Sequence, residues 1–416
     1  IMGDTAIRSL WALLIPVLTF ANPAILRGQG TVVLPGEWEP QQSIWLGWEE
    51  RPELQGYHQA VFELIWAVKD EVQIKIVTTS DSATAVAQSL ITAQNIDLNN
   101  IIFLTVPGNR YWIRDHGPTF VKNQRGELLG VDFDWKVRAG HDSKIDLVDR
   151  KIAELEGLEV IAAPVVNEGG AIESNGKGTI ILVESVTLDR NPLLTKAAIE
   201  EVYRKSVGAK KIIWLNKGLA QDPNGTRPIV DNYYGYGTGG HVDEFARFVD
   251  PNTILLAWVS EEEKGIHPIN QINYEILRQA YEVLSQETDQ DGKPFRIIRI
   301  PLPDIISEKR SVADITQFEG TPSASNASDS IEWVAAASYN NFLITNGYVL
   351  LPTYTKHGSS VAKENQIKKV FTEVFPHRKL IFIDCIYQNY RGGGIHCSTK
   401  QQPFGQSTSS HNQKAQ

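Results

Sequence analysis

The chain has 416 residues, a net charge of −9, 42% hydrophobic and 21% charged residues, the composition of a soluble globular protein. The acidic balance leaves no basic excess to neutralise phosphates, which excludes nucleic acid as the main partner and suits a cationic ligand. Two cysteines, Cys385 and Cys397, exclude a disulfide-rich framework and lack the spacing of a zinc site, although a single bridge between them stays open.

At the N-terminus, Leu10 to Ala21 form an apolar run of signal-peptide length, too short to span a bilayer, with small residues Thr19 and Ala21 at plausible cleavage positions. Residues 1–30 therefore read as an extension whose first 21 or so residues are a secretory leader. That implies a secreted or periplasmic protein with no stable membrane insertion. The alternative is a hydrophobic extension on a cytoplasmic enzyme. Two sequons, at Asn224 and Asn326, would be surface glycosylation sites in a eukaryotic host.

From residue 31 to 405 short apolar strands alternate with amphipathic helices. The spacing predicts strands at SIWLGW (43–48), VQIKIVT (72–78), IIFLTV (101–106), TIILV (179–183), TILLAWV (253–259), RIIRI (296–300), YVLLP (348–352) and KLIFI (379–383). It predicts helices near 59–69, 143–156, 195–206, 271–284 and 361–375, the third opened by the capping hydroxyl of Thr195. No linker divides this stretch, so it reads as one α/β domain. The low-complexity run at 319–330 reads as a surface loop, and the polar tail 406–416 is expected to be disordered. No glycine-rich nucleotide motif follows a strand, so no nucleotide cofactor is expected.

Four glycine-flanked islands carry chemistry. YWIRDHGPTF (111–120) holds Asp115 just before a Gly-Pro turn, and by itself also reads as a salt-bridged turn. VNEGGAIESNGKGT (166–179) sets Glu168 ahead of two glycines. TGGHVDEFARFV (238–249) places His241 and Asp243 two apart, on one side of an extended segment. YRGGGIHCSTKQQP (390–403) presents Cys397 behind a glycine run, where a buried core cysteine is the competing reading. A thiol, an imidazole and several carboxylates make a coherent set for attack on a bound guanidinium, whose planar fork pairs with carboxylates.

Together these islands, with LDRNPLLTKAAIEE (188–201) and AASYNNFLITNG (336–347), resemble the agmatine deiminase and bacterial-type peptidyl-arginine deiminase family of guanidine-modifying enzymes. The matching pieces run in collinear order over about residues 35–405. The resemblance implies a five-fold pseudo-symmetric α/β propeller of ββαβ units. It implies Cys397 as nucleophile and His241 as general acid and base. Asp115 and Asp243 would hold the guanidinium, and Glu168 would orient His241 and touch the substrate. Trp112 and Arg114, beside Asp115, are expected to line the substrate pocket. No metal or cofactor is implied. The activity implied is deimination of agmatine to N-carbamoylputrescine and ammonia, a step toward putrescine, or of free or peptidyl arginine to citrulline. Three departures bear on the substrate's far end. Gly394 stands where the agmatine-type members carry Asn; VDFDWKVRAG (131–140) replaces an Asn-x-Trp-Gly stretch; and AQDPNGTRPIVDNYYGYGT (220–238) is a long insert before His241. An ordinary amide hydrolase is disfavoured because its electrophile needs an oxyanion hole, not carboxylates. A non-catalytic binding protein is disfavoured by the intact set of reactive residues.

Overall fold

The computed structural model describes residues 31–50, 55–134, 147–315 and 330–406. The apolar run Leu10 to Ala21 expected as a leader, residues 319–329 of the expected surface loop with Asn326, and the tail after Gln406 lie outside them.

One pattern recurs five times: an antiparallel hairpin, then a helical crossover to a third strand parallel to the second. The first instance pairs Gln41–Gly47 with Gln73–Thr78 across the helix Gln55–Val68, and the hairpin partner is Thr399–Pro403 from the far end of the chain. The second is Thr119–Asn123, Leu128–Phe133 and Glu159–Ala163. The third is Ile172–Ser174, Thr179–Val183 and Lys211–Leu215. The fourth is Ala246–Asp250, Thr253–Trp258 and Arg296–Pro301, and the fifth is Leu343–Ile344, Tyr348–Pro352 and Lys379–Ile383. A parallel pair needs a crossover connection, and helices supply it. The repeat is invisible in the sequence because the units share geometry and not residues.

Burial explains why several of the predicted strands were legible. The middle strand of a unit is covered on both faces, so it reads as an unbroken apolar run: every residue of TIILV is buried, and all but the last of TILLAW. In four of the units the third strand is an edge and half exposed, as in KLIFI, whereas in the first Ile101–Thr105 pairs outside Gln73–Thr78 and buries it. Helices cover the outer faces. Leu64, Ile65 and Val68 pack on Ile44, Leu46, Ile74 and Ile76, each such side chain contributing roughly 1.5–3 kcal/mol when fully buried. Among the described residues no helix is long and apolar enough to cross a membrane.

The predicted helices appear with shifted ends. Thr195 does cap Lys196–Ser206, its hydroxyl accepting the Ala198 N–H at 3.2 Å. The helix expected at 271–284 starts earlier, at Pro268, because Pro fits the first turn and the His267 ring nitrogen accepts the Ile269 N–H. Only Val148–Leu155 of the helix expected at 143–156 is described as helix. The helix Asp81–Ala93 was not predicted, since its buried stripe is Ala83, Ala87 and Ile91, too small to stand out. The insert before His241 folds as Arg227–Val230 and Tyr233–Gly235 and joins Ser307–Ser311 and Ser330–Val334 in a sheet outside the five units.

Candidate active site

Each unit delivers a polar residue from the segment just before its first strand. The short helix Ile113–His116, carrying Asp115, precedes Thr119–Asn123. Glu168 precedes the 3-10 turn Gly169–Ala171, and His241 precedes the 3-10 turn Val242–Glu244. Asn341 stands two residues before Leu343–Ile344, and Cys397 two before Thr399–Pro403. Function is carried on turns that rigid strands position.

These turns converge. His241 Nδ1 lies 3.8 Å from Asp115 Oδ1, and its Nε2 3.8 Å from Glu168 Oε2. Cys397 Sγ lies 3.7 Å from both Asp243 Oδ2 and Glu244 Oε1. Gly170 sits against the cluster: a Cβ there would fall 2.6 Å from His241 Nδ1 and 3.0 Å from an Asp243 oxygen. That proximity is why the Glu168 island needs its glycines.

Four buried polar atoms of this cluster have no hydrogen-bond partner: His241 Nδ1 and Nε2, Glu168 Oε2 and Asp243 Oδ1. Native proteins rarely leave such groups unpaired, and a cluster of them at one place marks a ligand site. Two carboxylate oxygens and an imidazole beside a thiol complement a planar cation with several N–H donors.

Electrostatics follows from burial. Burial pushes the Asp115 carboxyl up to about 6. Burial also raises the Cys397 thiol well above its usual value, and Asp243, Glu244 and Asp115 raise it further, so the free protein holds a neutral thiol. For His241 burial works downward, but Asp115, Glu168 and Asp243 outweigh it and carry the imidazole up to about 9. Burial would raise Glu168, yet His241 and Arg190 hold it down at about 2. Glu244 is driven upward by burial and by Asp243 and Asp222. An entering cation would offset these negative neighbours and favour the thiolate.

Supporting residues fix the reactive ones. His396 Nδ1 meets Asp243 Oδ2 at 2.6 Å and its Nε2 meets Glu37 at 2.9 Å. Arg247 and Arg114 both bind Glu37. Arg190 Nε donates to Glu168 Oε1 at 2.6 Å. Asp222, in the insert, accepts the His241 N–H at 2.9 Å and the Gly240 N–H at 3.0 Å. Gly240 has φ 102°, which turns the chain into that carboxylate.

The structure thus brings together Asp115, Glu168, His241, Asp243 and Cys397. The Trp112 ring shares the space over Gly393 with Cys397: a Cβ at Gly393 would lie 2.7 Å from the ring and 3.0 Å from the Cys397 Cβ. Arg114 is a correction. Its Nε donates to the His396 carbonyl at 3.1 Å, its Nη1 to Glu37 at 2.7 Å and its Nη2 to Gln401. All three nitrogens are engaged, so it braces the thiol segment and is not free to bind substrate. Cys385 is buried in the core beside Ile395, and both cysteines are free, so no bridge joins them. Asn224, one of the two sequons, is half-buried and its amide donates to Asp189 at 2.9 Å. Asp243, Glu244 and Cys397 offer ligand atoms within 4.8 Å of one another and could hold a metal ion; they are also among the groups a guanidinium would meet. Sequence reasoning missed Glu37, Arg190, Asp222, Glu244 and Asn341. Arg190 and Asn341 lie in motifs already singled out, and Glu244 adjoins Asp243.

The family model for Porphyromonas-type peptidyl-arginine deiminase matches residues 33–403. The chain belongs to that family. This deiminase is 32% identical over 386 residues to the agmatine deiminase of Ectopseudomonas mendocina, covering 90% of this chain and 96% of that one. It is 31% identical over 389 residues to the agmatine deiminase of Pseudomonas syringae, covering 89% and 95%. Among solved structures, an agmatine deiminase of Enterococcus faecalis superposes with a TM-score of 0.72 at 26% identity, covering 91% of this chain and 98% of that one. The protein is a hydrolase of amidine-type carbon–nitrogen bonds.

Proposed function

We propose that this protein deiminates agmatine, with Cys397 as nucleophile, giving N-carbamoylputrescine and ammonia. The observation that carries the reading is the set of unpaired buried atoms on His241, Glu168 and Asp243 around the thiol. The named relatives are agmatine deiminases over nearly their whole length, which favours the decarboxylated substrate.

The steps balance as follows. Asp115 and Asp243 hold the guanidinium, whose charge favours the thiolate, and the thiol proton of Cys397 passes to the carboxylates of Asp243 and Glu244 3.7 Å away, while His241 enters the cycle protonated. The thiolate forms a C–S bond at the guanidinium carbon. His241 gives its proton to one nitrogen, the C–N bond breaks, and ammonia leaves a covalent thiouronium. Water then adds to the same carbon, passing a proton to His241, and the C–S bond breaks to release the ureido product. The substrate carries its own positive charge, so no Lewis acid is required to make its carbon electrophilic. Glu168 stays ionised through the cycle and fixes the imidazole.

The second reading is deimination of free or peptidyl arginine. It is favoured by the insert, which packs on the thiol segment: a Cβ on Gly392 would meet Tyr236 O and Gly237 Cα at 2.8 Å. We also propose that the five units stand as blades around the catalytic cluster, because each contributes to it from the same position. A ureido colour assay with agmatine, arginine and a blocked arginyl peptide tests both substrates. Turnover of agmatine in clear preference supports the first reading. Turnover of the arginine substrates alone replaces it with the second, and no turnover of any refutes both.

A further inference from the structure

Asn341 is the residue that the fifth unit delivers to the cluster. Its carboxamide orientation is determined by its surroundings. The Oδ1 atom accepts the backbone N–H of His396 at 2.8 Å and of Cys397 at 3.4 Å. Only an oxygen can serve those two donors, so the NH2 group must face the other way. There it donates to Glu244 Oε1 at 2.7 Å and to Cys397 Sγ at 3.1 Å. The side chain is fully buried.

Around Sγ the other close groups are Asp243 and Glu244 from the turn after His241, with Asp115 and Tyr111 farther out. The carboxylates accept hydrogen from the thiol or repel the thiolate. Asn341 is the neutral group that donates to sulfur, and it does so while pinning the backbone on which the sulfur is mounted.

We propose that Asn341 is the positioning residue that holds Cys397 for attack and stabilises its thiolate once the guanidinium has bound. This rests on Cys397 being the nucleophile. The departure at Gly394 fits the role. A Cβ at that position would lie 2.6 Å from Asn341 Oδ1 and 3.3 Å from the Asn389 amide nitrogen. A side chain at 394 is therefore incompatible with Asn341 as it stands, and glycine leaves the carboxamide its place.

The test is the pH dependence of Cys397 alkylation by chloroacetamidine, a small amidinium-bearing chloride, in the full-length protein, its Asn341→Ala variant and its Gly394→Ala variant. A hydrogen bond to a charged sulfur corresponds to a shift of about one to two pH units. Both variants are expected to move the rising limb upward by about that amount, with a plateau at high pH within a few-fold of the parent. Loss of mere scaffolding would lower the rate by one factor at every pH and leave the limb in place, and that result overturns the proposal. If Asn341→Ala does not accumulate folded, Gly394→Ala carries the same measurement. The parent protein keeps the two claims apart: absence of any adduct at Cys397 in it would refute the nucleophile itself, whereas a parent that reacts and variants with an unmoved limb would refute only the role of Asn341.

Discussion

Replacing Asp115 by Asn separates its charge from its shape. Its Oδ1 accepts the Gly170 N–H at 3.1 Å, and an amide oxygen can keep that bond. The change therefore removes one negative charge and leaves the turn standing. A carboxylate about 4 Å from a cationic group is worth on the order of 4 kcal/mol at an effective dielectric of about 20, near a thousandfold in rate. Burial holds Asp115 at about 6, so at mildly alkaline pH nearly all of that charge is present. The expected result has opposite signs for two reagents. Alkylation of Cys397 by chloroacetamidine should slow by roughly two to three orders of magnitude. Alkylation by neutral iodoacetamide should stay level or quicken, because one of the carboxylates that raise the thiol is gone. Second-order rate constants with each reagent, with the adduct located by peptide mass, give the ratio directly. A cationic preference that survives intact in Asp115→Asn would refute the placement of the guanidinium against Asp115.

Cys397→Ser should lose essentially all turnover while keeping its melting temperature and its affinity for agmatine in equilibrium dialysis, since a serine hydroxyl is a far weaker nucleophile here. Cys385→Ala should keep kcat/KM within about twofold, because burial renders that thiol inert; its cost should appear as roughly 1 kcal/mol of stability by chemical denaturation. The pH profile of kcat/KM should fall below about 6, where Asp115 takes up a proton and loses its charge, and again above about 9, where His241 loses the proton it must donate. Stability should move the other way at the acid limb. The folded value of Asp115 lies above its ordinary one, so its protonated form favours the fold below about pH 4, and that contribution is lost as pH rises through about 6; melting temperatures of the parent and Asp115→Asn should run together below about pH 4 and separate as pH rises through about 6, with the variant the more stable. Gly170→Ala should abolish activity with the fold retained, because the added methyl would meet His241 Nδ1 at 2.6 Å.

The sequence revealed this site unevenly, for physical reasons. Asp115, Glu168, His241, Asp243 and Cys397 stood out because each lies beside glycines in a turn, where a polar side chain has few structural reasons to be. Arg114 stood out equally and misled. A buried arginine bracing Glu37 and Gln401 leaves the same trace in one sequence as an arginine gripping a ligand. Asn341 and Glu37 were missed because their partners are distant in the chain: Asn341 binds residues 55 and 56 positions away, and Glu37 meets His396 across 359. Four of the five middle strands were legible because burial on both faces makes them largely apolar; the other, Leu128–Phe133, was not, its run being broken by Gly130 and Asp132. The short first strands, such as Ile172–Ser174 and Leu343–Ile344, were not, having two or three residues and no room for a period.

The account rests on a covalent bond between Cys397 and the guanidinium carbon. Acid quenching of the protein within its first turnover of agmatine, followed by intact mass and peptide mapping, tests it most directly. The account predicts a transient species heavier by agmatine less ammonia, confined to the Cys397 peptide and absent from Cys397→Ser. Ammonia released at the parent rate with no such species, or by Cys397→Ser at a comparable rate, would contradict it.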